Sequence, residues 1–224
     1  MPAMRVRGHG LESHPEACLA NLHDNGAMAN PEFLPEFFSP VALDRAFRLL
    51  NHGPTVLVSS QHGDSVNVMA AAWSCPLDFS PPKVMVVIDK ASYTRSLVEA
   101  SGRFALNVPT RAMAALTLGV GSDSASDVKD KLRKHHVQTF TPTPDAVPLV
   151  HGCVGWLACT VIPEPHNQSQ YDLFIGEVTA AYADSRVFNA GRWCFDGRSD
   201  DLRTLHYVSG GQFLVTGESL LISG

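Results

Sequence analysis

A chain of 224 residues, 45% hydrophobic and only 17% charged, is long enough to bury a sizeable core and reads as one or two compact soluble domains. Seventeen basic against twenty-two acidic residues leave a net charge of −5, which argues against nucleic acid as a main partner. No run approaches the ~20 consecutive apolar residues of a membrane span, the first thirty residues hold no apolar signal-peptide core, and five scattered cysteines fit reduced thiols in a cytoplasm.

Residues 1–38, rich in Gly, Asn, His and Pro without a sustained period, are expected to form a loose extension in which His9, His14 and His23 are incidental rather than metal ligands. One domain is then expected over 39–224. Val41, Leu43, Phe47 and Leu50 recur at helical spacing, and Ser39-Pro40 makes a start signal, so a helix is predicted over Val41–Asn51. Thr55–Ser60 and Ser65–Ser74 read as a hairpin turned by residues 61–64, ended by Pro76, Pro81 and Pro82. Val84–Ile88 reads as a buried strand, Ser92–Ser101 as a short helix stopped by Gly102, and Phe104–Val108 as a further strand. Helices are predicted over Arg111–Leu118 and Asp127–His136, then strands over Val154–Ile162 and Leu173–Tyr182, with shorter ones at Trp193–Phe195 and Leu205–Tyr207.

Many short strands with a few short helices point to a closed antiparallel barrel, mainly β. A doubly wound parallel sheet is disfavoured, because no Gly-rich phosphate turn and no regular strand–helix alternation occur. Val154–Ile162 is apolar on both faces, with Trp156 and Ala158 on one and Leu157 and Val161 on the other. One face can fill the barrel, and the other needs a cover from helices or a second subunit.

Two segments could carry chemistry. Asn67 is polar inside an apolar strand, and Ala70-Ala71-Ala72 removes bulk where Val or Ile is usual, so a flat ring could approach the backbone; a tightly packed core strand explains the same residues. Between a strand end and a helix start, Lys90, Ser92, Thr94 and Arg95 combine free N–H groups, hydroxyls and positive charge suited to one phosphate, or else ordinary capping by Ser92 beside solvated cations. The run Lys129–His136 reads as a solvated helix face, with a nicotinamide-phosphate contact as the alternative; His151 reads as structural, with donation to a flavin or nicotinamide carbonyl as the alternative, Trp156 and Trp193 as packing residues, and Cys153 and Cys159 as pointing to opposite faces. His206-Tyr207 with Gly210-Gly211 could close over a ring.

Taken in order, Asn67, Ala71 and Ser74, then Pro81-Pro82, Ser92 and Thr94, then Gly102, Phe104, Asn107 and Pro109 resemble the flavin reductase-like family of FMN-binding split barrels. The resemblance covers roughly Val41–Tyr182 and implies an antiparallel, Greek-key-like split β-barrel that forms a homodimer with a flavin at or near the interface. By carry-over, Asn67 and the stretch Met69, Ala70, Ala71, Ala72, Trp73 and Ser74 would face the flavin, with Asn107 also among the cofactor-binding residues. Lys90, Ser92, Thr94 and Arg95 would hold its phosphate, and His206 is the candidate catalytic residue. The implied activity is an NAD(P)H-dependent flavin reductase using FMN, with FAD as the other flavin and NADH or NADPH as donor. Two alternatives stay open: a flavoredoxin-type electron carrier, and a dimeric barrel binding another ligand. A monooxygenase is one electron acceptor such a reductase could serve.

Overall fold

The computed structural model describes residues 35–52 and 55–222. The expectations for His9, His14, His23 and most of the extension lie outside the described residues. Strand β1 (Phe38–Val41) comes first, followed by a 3₁₀ segment over Leu43–His52. The helix predicted from Val41 therefore starts later, because Ser39 and Pro40 belong to the strand. Its single pairing is with residues 181–184, and an edge strand tolerates a proline that cannot donate. Phe38, assigned to the extension by sequence, stacks on Tyr182 at 4.3 Å and meets Trp156 edge-on at 5.1 Å.

The predicted hairpin forms from β2 (Val56–His62) and β3 (Ser65–Ala71), turned by Gly63 at φ +57°. The prolines do not end it as expected. Strand β4 (Ser74–Phe79) carries Pro76 opposite Val84 of β5 (Pro82–Val87). Like β1, it is an edge strand. Helix α1 (Tyr93–Ser101) ends where Gly102, at φ +66°, donates its N–H to Val98 O, and β6 (Arg103–Val108) follows. A 3₁₀ turn at Arg111–Met113 leads into α2 (Ala114–Ser122). The charged helix predicted over ten residues is only α3 (Lys131–Lys134), entered through hydrogen-bonded turns and left at His136 with φ +54°.

Next come the short pair β7 (Thr139–Phe140) and β8 (Leu149–Val150), then β9 (Gly155–Ile162), α4 (Pro165–Gln170) and β10 (Leu173–Asp184). The chain closes with β11 (Phe188–Asn189), β12 (Arg192–Trp193), β13 (Leu205–Ser209) and β14 (Gln212–Val215). Gly210 and Gly211, at φ +56° and +84°, turn the last hairpin, which is the conformation a two-residue primed turn demands.

The main sheet is antiparallel in the order β3-β2-β6-β9-β10-β5-β4, with β1 also on β10. Its two end strands, β3 and β4, are consecutive in the chain and joined only by Ala72-Trp73, so the sheet curls until both edges meet at one corner. Val58, Val86, Phe104, Leu157, Cys159 and Phe174 fill the interior. Each fully buried side chain of this size contributes roughly 1.5–3 kcal/mol. On the outer side Leu57, Ala105 and Trp156 pack beneath Met113, Val120, Phe140 and Leu149. The second apolar face of β9 is thus covered from within the chain, and Cys153 and Cys159 lie in different layers because Cys153 precedes β9; within one regular strand their even spacing would have put them on one face. Among the described residues no helix is long and apolar enough to cross a membrane.

Candidate functional site

Strand β3 positions the site because no second strand pairs with its outer edge among the described residues. Asn67 is 2% exposed; its Nδ2 donates to Thr94 Oγ1 at 2.8 Å, and its Oδ1 has no partner. Thr94 is fully buried in the first turn of α1. Nearby, Ser92 Oγ donates to Met69 Sδ at 3.0 Å. Four predicted residues, Asn67, Met69, Ser92 and Thr94, therefore tie β3 to the start of α1. A buried acceptor left unmatched costs about 1–3 kcal/mol, so Asn67 Oδ1 is a place where folding stability is given up.

Lys131 reads in the sequence only as one of a basic run, not singled out for the flavin. It is 2% exposed, no carboxylate of the described residues stands within ion-pair distance, and burial pushes its pKa down to about 8 despite the more distant Asp123. Asn67, Tyr93 and Lys131 line one cavity of ≈480 Å³, where Lys129 and Arg133 add positive charge and Asp64 and Asp130 oppose it. Arg133 is neutralised by its ion pair with Asp130. Nothing in the run Lys129–Lys134 distinguishes Lys131 from its neighbours; its burial follows from α3 standing across that cavity from β3. The solvated-face reading therefore fails for this one lysine.

Other expected residues do not converge there. The guanidinium of Arg95, 8% exposed, donates to Glu99, Asp172, Ile88 O and Gln168 O and lies 5.2 Å from the Phe174 ring centre. Its pKa is raised by the two carboxylates against the opposing effect of burial. Arg95 thus braces α1 against β5 and the end of α4. Lys90 is exposed, with Nζ 3.9 Å from Asp172. In Asn107, Nδ2 donates to Leu57 O and Ser59 Oγ, and Oδ1 accepts from Val150 N at 2.9 Å, so its polar atoms join β6, β2 and β8.

Strand pleating sends Val68, Ala70 and Ala72 to the face opposite Asn67 and Met69, while Ala71 is buried and Trp73 is 73% exposed at the β3–β4 corner. Ser74 opens β4 opposite Val86. Of the C-terminal pair, Tyr207 turns towards Ala70–Ala72, whereas His206 is exposed on the other side of β13. His151 packs its ring against Phe140 at 4.6 Å, and burial lowers its pKa.

The family model described as "Flavin reductase like domain" matches residues 48–209, which contain this site and every strand of the main sheet except β1. The chain belongs to the flavin reductase-like family. A crystal structure of an FMN-binding domain of a flavin reductases-like enzyme from Shewanella baltica is 53% identical with a TM-score of 0.81, covering 83% of this chain and 97% of that one. The Escherichia coli protein YddH, itself uncharacterised, is 42% identical over 81% of this chain and 96% of its own length. A flavoredoxin of Desulfovibrio vulgaris shares the fold at 23% identity and TM-score 0.63, covering 76% of this chain and 90% of that one. The fold is accordingly the family's split barrel.

Proposed function

We propose that this member of the family binds FMN along the outer edge of β3 and passes hydride from NADH or NADPH to it. The observation that carries the reading is that Asn67 and Lys131, whose Oδ1 and ammonium have no partner among the described residues, line one cavity. An acceptor and a cationic donor lining one cavity complement a flavin's pyrimidine edge, which offers an N–H flanked by carbonyls. The 53% identical Shewanella protein, described as FMN-binding, supports the same cofactor.

When bound, FMN supplies the hydride-accepting chemistry, and the chain binds and orients the rings. Asn67 and Lys131 hold the ring or its polar tail. Lys90 and the hydroxyl of Ser92, at the start of α1, are the groups left for the phosphate once Arg95 is committed elsewhere. The ammonium of Lys131 also offsets negative charge that gathers on a flavin when it is reduced. Trp73 and Leu77, 73% and 50% exposed beside the strand corner, support a second copy packing there, so the working unit is a homodimer.

The test is an absorbance spectrum of the purified protein with FMN, followed by anaerobic addition of NADH and then NADPH. Loss of the flavin's visible absorbance is expected with one or both. Flavin bound but reduced only by dithionite would make the protein a flavoredoxin-type carrier instead, and absence of flavin binding would overturn the proposal.

A further inference from the structure

Helix α2 touches β3 on one side and the residue that follows α3 on the other, and a glycine bares it at each contact. Residues two apart on a helix point about 200° apart. Gly121 faces β3, where an added Cβ would stand 3.1 Å from Ala70 Cβ, and Gly119 faces the His135 ring, which an added Cβ would overlap at Nδ1 and Cε1. The imidazole is 16% exposed, and its Nε2 stands 2.7 Å from Asp123 Oδ2. Asp123 is itself fixed at the end of α2, its N–H donating to Gly119 O at 3.0 Å. Bonds from Lys134 and His135 hold its carboxyl below the ordinary range, and an ionised carboxylate only accepts, so Nε2 of His135 carries the hydrogen.

The backbone N–H of His135 donates to Lys131 O at 3.1 Å, which sets the two residues one helical turn apart on one face. Lys131 feels the charge of Asp123 without an ion pair to it. The Asp123 oxygen that could serve it already accepts from His135 and, at 2.7 Å, from Lys134. Lys134 is half-exposed, where such a pair contributes little. His135 is the partner with a fixed seat.

We propose that His135 is a positioning residue: seated on Gly119 and bonded to Asp123, it holds Lys131 against the β3 cavity and keeps Asp123 from pairing with it, so that the ammonium is left for a ligand. The role in binding rests on the flavin reading of Lys131; the seat itself is measurable without any flavin.

The test follows the Lys131 side chain by NMR in the full chain labelled at lysine Cε, its signal identified by its loss in Lys131→Met. Wild type should titrate at about 8 rather than 10.5. In His135→Ala the ammonium gains solvent or Asp123, so the titration should move up towards 10.5. Asp123→Asn removes a charge that favours the ammonium and leaves an acceptor for His135, so the titration should move down. His135→Gln, which retains a donor for Asp123, should lie closer to wild type than His135→Ala. Gly119→Ala should lower the melting temperature of wild type but not of His135→Ala, where alanine is simply the better helix residue. FMN should bind His135→Ala about 3- to 10-fold more weakly than wild type. Melting curves show that each variant is folded. A Lys131 titration that stays put in folded His135→Ala, or a Gly119→Ala penalty equal in both backgrounds, would overturn the role whatever FMN does. Unchanged FMN affinity in His135→Ala with the titration moved would overturn it too, whereas a moved titration in a chain that binds no FMN at all contradicts the flavin reading alone.

Discussion

Replacing Lys131 by Met should make the ligand-free protein more stable and a worse flavin binder at once. The Met side chain keeps the apolar stem and removes a charge that nothing in the fold pairs. Lowering of the Lys131 pKa from 10.5 to about 8 corresponds to a penalty of about 3 kcal/mol on the charged form. Because the folded state disfavours the ammonium, that penalty acts in full below about pH 8. It shrinks as pH rises towards 10.5, where the unfolded chain also loses the proton. Urea unfolding of both chains at pH 7 should show Lys131→Met more stable by about 2–3 kcal/mol, with the gap narrowing steadily in alkaline buffer. FMN affinity, followed by quenching of flavin fluorescence, should fall at least tenfold. A variant less stable than wild type at pH 7, or a stability gap indifferent to pH, would refute the claim that this lysine is buried without a partner.

Three further substitutions separate scaffold from site. Asn107→Leu strands Leu57 O and Val150 N, so unfolding free energy should drop by about 2–4 kcal/mol, with FMN affinity of the folded protein unchanged; a specific loss of FMN would restore Asn107 to the cofactor. Arg95→Met leaves Glu99 without its cation and Asp172 with only the exposed Lys90, and should destabilise by about 2–4 kcal/mol, weakening FMN and riboflavin alike in paired titrations. Selective loss of FMN would return Arg95 to the phosphate. A Cβ on Gly176 would stand 2.6 Å from Phe104 Cζ and 2.9 Å from Cys159 Cβ, so Gly176→Ala should lower stability by about 1–3 kcal/mol. A melting temperature matching wild type would contradict that packing of β10 on β6 and β9.

Much of the barrel was legible because its strands announce themselves. The β2–β3 hairpin, β5, β6, β9 and β10 are β-branched or apolar runs bounded by Gly or Pro, and α1 stops at Gly102 where its carbonyls need an αL residue. Proline misled twice, at Pro40 and Pro76, since its penalty applies to a strand paired on both sides and both residues lie on edge strands. Strand β14, only four residues long, is too short to register. At the site, Asn67 stood out as a polar residue in an apolar strand. The roles of Arg95, Asn107 and Lys131 could not be read because residue type does not reveal whether donors are already satisfied. Arg95 and Asn107 make their bonds inside the scaffold, while Lys131 makes none. For His206 and Tyr207 the decision rested on strand phase, which a five-residue strand does not disclose from composition.

The central claim is that Asn67 and Lys131 hold a flavin. Titrating FMN into the wild-type chain and into Asn67→Leu, with melting curves to show that both are folded, tests it most directly. Saturable quenching by wild type and at least tenfold weaker binding by Asn67→Leu are predicted. Equal affinity in the two chains would contradict the account.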